Sequence, residues 1–190
     1  VILAATDALN WFSGLAGKLP SELTADLGSV AAPGRALFLP YIGGERTPLN
    51  DAKIRGAFVG LDHASDLKAV TKAVLEGVAF AFCDCRDALA STGTKFDSLL
   101  AVGGGSNSDY WLQILATALN IPIDLPVDGD FGGAFGAARL AMMAADVGDV
   151  EVAGRPKIAR TIEPDPSLTR AFSAKYERYK DAQRAIKELK

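Results

Sequence analysis

The run Ser98-Leu99-Leu100-Ala101-Val102 is apolar and strand-like, and three glycines, Gly103, Gly104 and Gly105, follow it without a spacer. Beyond them Trp111, Ile114, Leu115, Ala118 and Leu119 recur at the three- and four-residue intervals of a single helix face. The order is strand, tight turn, helix start. A turn built from glycines offers backbone rather than side chains: with no Cβ in the way a ligand can come close, and positive φ costs little. The first amides of the helix that follows have no partner inside the helix and point outward as donors. A nucleotide is the natural guest for such a turn.

Three kinds of nucleotide site compete for it. A P-loop needs Gly-Lys-Ser/Thr at its end, so that a lysine meets the phosphates and a hydroxyl meets magnesium, and no lysine stands there. A dinucleotide site of the Rossmann type is a rival. Gly103 and Gly105 supply its first two glycines, and Asp124 lies at the end of the next strand, where a ribose-binding carboxylate belongs, but Ser108 stands in place of the third glycine. In the third kind, a kinase or ATPase site, the turn cradles ribose and base while the phosphates are held elsewhere. Asp109 favours this one, because a carboxylate in the first helical turn repels phosphate yet accepts from a ribose hydroxyl or an adenine amino group. Asp109 also has a purely local reading, as the partner of Ser106 in a capping box that starts the helix.

At 190 residues the chain has room for one well-buried domain, and its 49% hydrophobic and 23% charged residues are a globular balance. A net charge of -3 with no basic stripe argues against a nucleic-acid surface. Cys83 and Cys85, two apart on a helix, face different ways and read as reduced packing residues. No apolar run approaches the ~20 residues of a membrane span, and the start has no basic leader, which predicts a cytoplasmic protein without a membrane partner. The absence of an initiator Met suggests a piece of something longer.

In chain order, a first helix is expected over Val1 to Phe12, closed by Gly14 and Gly17, then a short helical turn capped by Ser21 and stopped at Gly28. Ala36 to Tyr41 and Gly56 to Leu61 read as strands. Composition favours an ordinary solvated connection for Ile42 to Asp51, and His63, the only histidine, reads as a surface loop residue. The longest helix runs from Ser65 or Asp66 to about Ala90, and Gly77 inside it marks a close approach of backbone or ligand. Ile121 to Leu125 is a strand. Asp130 and Phe131 introduce a helix, Ala134 to Ala145, whose small residues predict close helix packing. A polar stretch around Gly154 to Pro166 leads to a last helix, Ser167 to Lys187, with Leu168, Phe172, Tyr176 and Tyr179 facing inward.

With these residues laid out, the chain resembles the C-terminal half of the FGGY family of carbohydrate kinases, nearest to its xylulokinase branch. Five blocks carry the resemblance in order: FLPYIGGERTPLND at Phe38 to Asp51, RGAFVGL at Arg55 to Leu61, AVLEGVAFA at Ala73 to Ala81, VGGGSNSDYWLQILA at Val102 to Ala116 and GDFGGAFGAARLA at Gly129 to Ala141. The family's second signature is met at Gly56, Phe58, Gly60, Leu61, Val70, Ala73, Val74, Leu75 and Glu76, with a departure at Ala69, where a polar residue is usual.

The resemblance implies an α/β fold of the actin-like, ribonuclease-H-like ATPase kind, a mixed sheet flanked by helices, that closes over ATP against a partner domain. It implies that residues 1–190 are the C-terminal nucleotide-binding domain, without its own first strands and without the sugar-binding N-terminal domain. The site it implies consists of Gly103, Gly104, Gly105 and Ser106 as backbone contacts to adenosine and Asp109 at the adenine edge. The catalytic aspartate, the sugar site and the phosphate turns are expected upstream, and Mg2+ is held mainly through the phosphates and that missing half. The expected reaction moves the ATP γ-phosphoryl group to a ketopentose, D-xylulose, with this chain inactive alone. The alternatives are a stand-alone nucleotide-binding switch and a family kinase for another polyol or sugar acid. The resemblance allows a homodimer without selecting a face, and it gives Glu45, Arg46 and Glu76 no chemical step.

Overall fold

The computed structural model describes residues 1–127, 132–145 and 154–188. Its elements are α1 (Ala5–Ala16), α2 (Pro20–Ala25), β1 (Leu37–Leu39), β2 (Ala57–Val59), α3 (Leu67–Ala90), β3 (Leu99–Leu100), α4 (Asp109–Leu119), β4 (Ile123–Pro126), α5 (Gly132–Ala144), β5 (Ile158–Ile162) and α6 (Pro166–Lys187). Strands β1 and β2 pair antiparallel, Phe38 opposite Phe58. The second sheet, in order β3-β4-β5, is mixed: β3 runs parallel to β4 and β5 antiparallel to it. Among the described residues no helix is long and apolar enough to cross a membrane.

Helix α3 is the spine. Asp66 caps it by accepting from Ala69 N–H at 2.8 Å, and its stripe of Val74, Leu75, Val78, Ala81 and Cys83 is buried. At Gly77 the helix backbone comes down on β1. A Cβ there would lie 3.0 Å from the Phe38 carbonyl carbon and 3.1 Å from Phe38 Cβ, with the Phe38 oxygen closer still. The glycine therefore serves packing, as its place in an apolar stripe predicts. Cys83 is buried, Cys85 half-buried, and both are free thiols, also as expected.

Helix α6 closes the core from the other side. Phe172, Tyr176 and Tyr179 are buried, and a polar chain ties them in: Tyr41 and Tyr179 share a 2.7 Å hydroxyl bond, and the Gln183 amide donates to the Tyr41 hydroxyl and to Asp84 Oδ2, both at 2.7 Å. The Tyr176 hydroxyl donates to Asp84 Oδ1 at 2.7 Å. Each buried oxygen thereby keeps the hydrogen bond that water would have supplied.

Several local expectations are corrected. The first helix starts at Ala5 because Val1 to Leu3 instead lie along the 45–47 loop, with Leu3 N–H on Glu45 Oε1 at 3.2 Å and Thr47 N–H on Val1 O at 3.1 Å. It continues through Gly14, and Gly17 alone ends it, at φ 63°. Ser21 caps nothing: Pro20 is the first residue of α2, suited by its fixed φ, and the Leu19 N–H is satisfied by Glu22 Oε2 at 2.7 Å. The polar stretch before α6 contains a strand, β5, whose residues are mostly exposed and so show no alternating pattern in sequence.

Helix α5 has no buried residue. Phe135, Leu140 and Met143 are 51%, 68% and 50% exposed, so the close packing expected from its small residues is not met within the described residues: small residues permit an approach but do not supply the partner. Asp130 and Phe131 lie outside the described residues.

Overpacking at Gly77 gives the first prediction. Gly77→Ala should lower unfolding free energy in urea by roughly 3 kcal/mol, whereas Gly104→Ala, where an added Cβ meets nothing within 4 Å, should leave the midpoint almost unchanged.

Candidate functional site

The strand β3 delivers its chain to a turn, and the turn is held by its own residues. Gly103 adopts φ 84°, a region that a side chain would penalise. Ser106 then folds back, its N–H at 3.0 Å and its hydroxyl at 2.6 Å from the Gly103 carbonyl oxygen, within a 3-10 turn over Gly104–Asn107. This spends the Ser106 side chain on the turn. The helix cap passes to Ser108, whose hydroxyl accepts from Trp111 N–H at 3.3 Å, so the capping box expected between Ser106 and Asp109 does not form. The 3-10 turn moves the cap two residues along the chain, from Ser106 to Ser108.

What fixes the turn in space is Trp111. Its indole N–H donates to the Leu75 carbonyl oxygen at 3.2 Å, and the ring is buried between α4 and α3. The glycine turn thus takes its position from the spine of the fold. Beneath it lies a largely apolar cavity of about 480 Å³, whose wall includes Thr6, Phe82, Leu99, Val102, Gly105 and Leu112. Gly103, Gly104 and Ser106 also border it. A Cβ on Gly105 would press on Thr6 Oγ1 at 3.2 Å, while the space around Gly104 is open.

Asp109 is not part of this wall. It stands at the first position of α4, and the Arg160 guanidinium holds both of its oxygens, Nη1 to Oδ2 at 2.9 Å and Nη2 to Oδ1. That hydrogen bonding holds the Asp109 carboxyl below the usual carboxylate range. Sequence reading missed Arg160, since it lies 51 residues away on a strand without a periodic signature. Asp124, which a dinucleotide site would need for ribose, instead accepts from the Thr161 hydroxyl at 2.6 Å. Among the described residues no group of three His, Cys, Asp or Glu side chains is placed to hold a metal ion.

The 42–51 loop is not the plain solvated connection that composition favours. Glu45 and Asp51 exchange backbone bonds at 2.9 and 2.8 Å, and Glu45 itself is buried, accepting from Arg46 N–H at 2.7 Å as well as from Leu3. Burial raises its carboxyl above the ordinary range. Gly44, at φ 87°, leaves only 2.9 Å between an added Cβ and Ala52 Cα. His63 is exposed, as expected.

Glu76 lies on the buried face of α3, 4% exposed, and its Oε2 has no hydrogen-bond partner among the described residues. Lys175 of α6, itself 5% exposed, donates to the carbonyl oxygens of Gly34 and of Arg35, the latter at 2.8 Å. Burial pushes Glu76 up to about 7 and Lys175 down to about 8, each partly opposed by the other's charge.

Residues 3–145 match the sequence profile of the FGGY family of carbohydrate kinases, C-terminal domain. The xylulose kinase of Escherichia coli strain K12 is 36% identical over 148 residues, which is 77% of this chain and 31% of that protein. Among solved structures, the "xyloylose kinase" of Brucella ovis superposes with a TM-score of 0.92 at 53% identity, over 100% of this chain and 40% of that one. A ligand-bound xylulose kinase from Lactobacillus acidophilus gives 0.85 at 27% identity, over 97% and 39%. The chain therefore spans about a third of the curated relative and two fifths of the solved ones. The expected fold stands: a mixed sheet with flanking helices, shared with kinases of the actin-like ATPase fold.

The buried Glu76 gives the domain a pH signature. An acid whose pKa is higher folded than unfolded binds more protons in the native state between the two values, so stability falls as pH rises from the ordinary glutamate range to about 7. Urea midpoints measured at steps across that window should fall for the natural chain, and Glu76→Gln should flatten the fall. A fall of equal steepness in the variant would assign it to other groups.

Proposed function

The chain belongs to the FGGY family of carbohydrate kinases, and on that footing we propose that it forms the nucleotide-binding part of an ATP-dependent sugar kinase. The full protein transfers the γ-phosphoryl group of ATP to a ketopentose hydroxyl, that of D-xylulose, giving D-xylulose 5-phosphate. The names of the relatives support the acceptor. The site itself supports the nucleotide.

The observation that carries the reading is where the glycine turn sits. It lies beyond the carboxyl end of β3, which runs parallel to β4 with α4 between them, the place where open α/β sheets receive ligands. Gly103, Gly104, Gly105 and Ser106 present backbone there with no Cβ at three successive positions, so a flat adenosine can lie against the turn. Asp109 accepts from the adenine amino group or a ribose hydroxyl, since each of its oxygens has a lone pair beyond the one Arg160 uses. The phosphates extend away from this carboxylate. ATP supplies the phosphoryl group, and Mg2+ is held through the phosphates and by residues outside this chain. The aspartate that takes the sugar proton, and the sugar site itself, also lie outside it.

The free edge of β3 supports a domain that is completed by strands from outside the chain. Leu99 and Ala101 N–H groups both donate toward β4, at 2.9 Å to Pro122 O and Asp124 O. Among the described residues no strand pairs with the other edge of β3, and Leu100 and Val102 are exposed. An open parallel edge of apolar residues is a poor surface for a protein to leave uncovered. Further strands added there would lengthen the sheet and cover this edge.

Gly105→Val in the full-length protein should raise the KM for ATP by about tenfold or more and leave the KM for sugar nearly unchanged, because the added side chain presses on Thr6 and shifts the turn that adenosine lies against. Equal losses for both substrates would remove the adenosine site from this turn. Residues 1–190 alone should show no ATP-dependent phosphorylation of D-xylulose in a coupled assay; turnover near that of the intact kinase would refute the division of labour proposed here.

A further inference from the structure

We propose that Arg160 is a positioning residue for the nucleotide, acting through Asp109: it neutralises and orients the carboxylate beside the glycine turn so that the adenosine end of an anionic nucleotide can bind there. The inference rests on the adenosine reading of that turn.

The pair is unusual in what it does not do. Asp109 and Arg160 side chains are 66% and 47% exposed, and an exposed ion pair contributes little to stability. Asp109 needs no counter-ion for the fold, since a carboxylate in the first turn of α4 is already favoured by the positive end of the helix. Ser108 supplies the cap without it. Yet the contact is two-toothed, the geometry that fixes the plane of a carboxylate as well as its charge. The arginine is also carried on rigid structure. Arg160 is registered opposite Leu125 on β4, and β4 is the parallel neighbour of the strand that delivers the turn.

The consequence is electrostatic. A bare carboxylate at the start of α4 would repel the polyphosphate of an incoming nucleotide. With the guanidinium bound, the site is close to neutral. The two carboxylate oxygens stay in one plane, each with a lone pair still open to a base amino group or a ribose hydroxyl. Arg160 thereby serves binding of the anionic nucleotide and has no part in binding the neutral sugar.

The test is a double-mutant cycle in the full-length protein, read as KM for ATP and for sugar, with melting temperature as a folding control. Arg160→Ala should raise the ATP KM about tenfold while kcat, sugar KM and melting temperature stay within narrow limits. In the Asp109→Asn background the same change should have almost no effect, because no charge remains to be neutralised. Arg160→Lys should recover part of the loss, restoring charge without the planar fork. An unaltered ATP KM in Arg160→Ala, or a rise of the same size with and without Asp109, would overturn the proposal. If Gly105→Val raises the ATP KM while Arg160→Ala does not, this proposal fails alone; if Gly105→Val leaves it normal, the adenosine reading fails and takes this proposal with it.

Discussion

Two groups within one turn of α3 determine where the rest of the structure lies. The first is the missing side chain of Gly77, which lets the helix backbone settle on Phe38 of β1. The second is the Leu75 carbonyl oxygen, which receives the Trp111 indole N–H and so locks α4 against the same helix. Because α4 begins where the glycine turn ends, the turn inherits its position from a helix–strand contact in the middle of the core. A carbonyl that is already the acceptor of an in-helix bond has a second lone pair to give, and here that lone pair sets the site.

Charge is arranged differently in the core and at the turn. In the core, Glu76 and Lys175 are both out of water; Lys175 donates to the carbonyls of Gly34 and Arg35, whereas Glu76 takes a backbone bond from Gly34 and keeps Oε2 without a partner among the described residues. Their pKa values move toward each other because each would rather be neutral than charged without solvent. At the turn, Asp109 and Arg160 keep access to water, their charges cancel, and the pair costs the fold little to maintain. The buried lysine ties α6 to the backbone at Gly34 and Arg35. An exposed pair is suited to meeting a ligand.

Much of this was legible in the order of the residues. Gly77 stands out as a glycine inside an apolar helical stripe, and the inward stripe of α6 reads directly from Phe172, Tyr176 and Tyr179. The strand, glycine turn and helix of the candidate site are adjacent in sequence, so their local character is visible there. What stayed hidden depends on partners far along the chain. Ser106 and Ser108 are both good caps by composition, and only the 3-10 turn decides between them. Glu45 looks like a loop charge until Leu3, 42 residues away, donates to it. Arg160 lies on a strand with no buried face, and α5 carries an apolar surface whose cover is not among the described residues.

Whether adenosine lies against the glycine turn can be read directly by amide hydrogen exchange. In the full-length protein, a saturating non-hydrolysable ATP analogue should slow exchange across residues 103–111, with sugar alone leaving those amides unchanged. Slowing confined to other segments, with exchange at 103–111 the same in the free and nucleotide-bound protein, would contradict it.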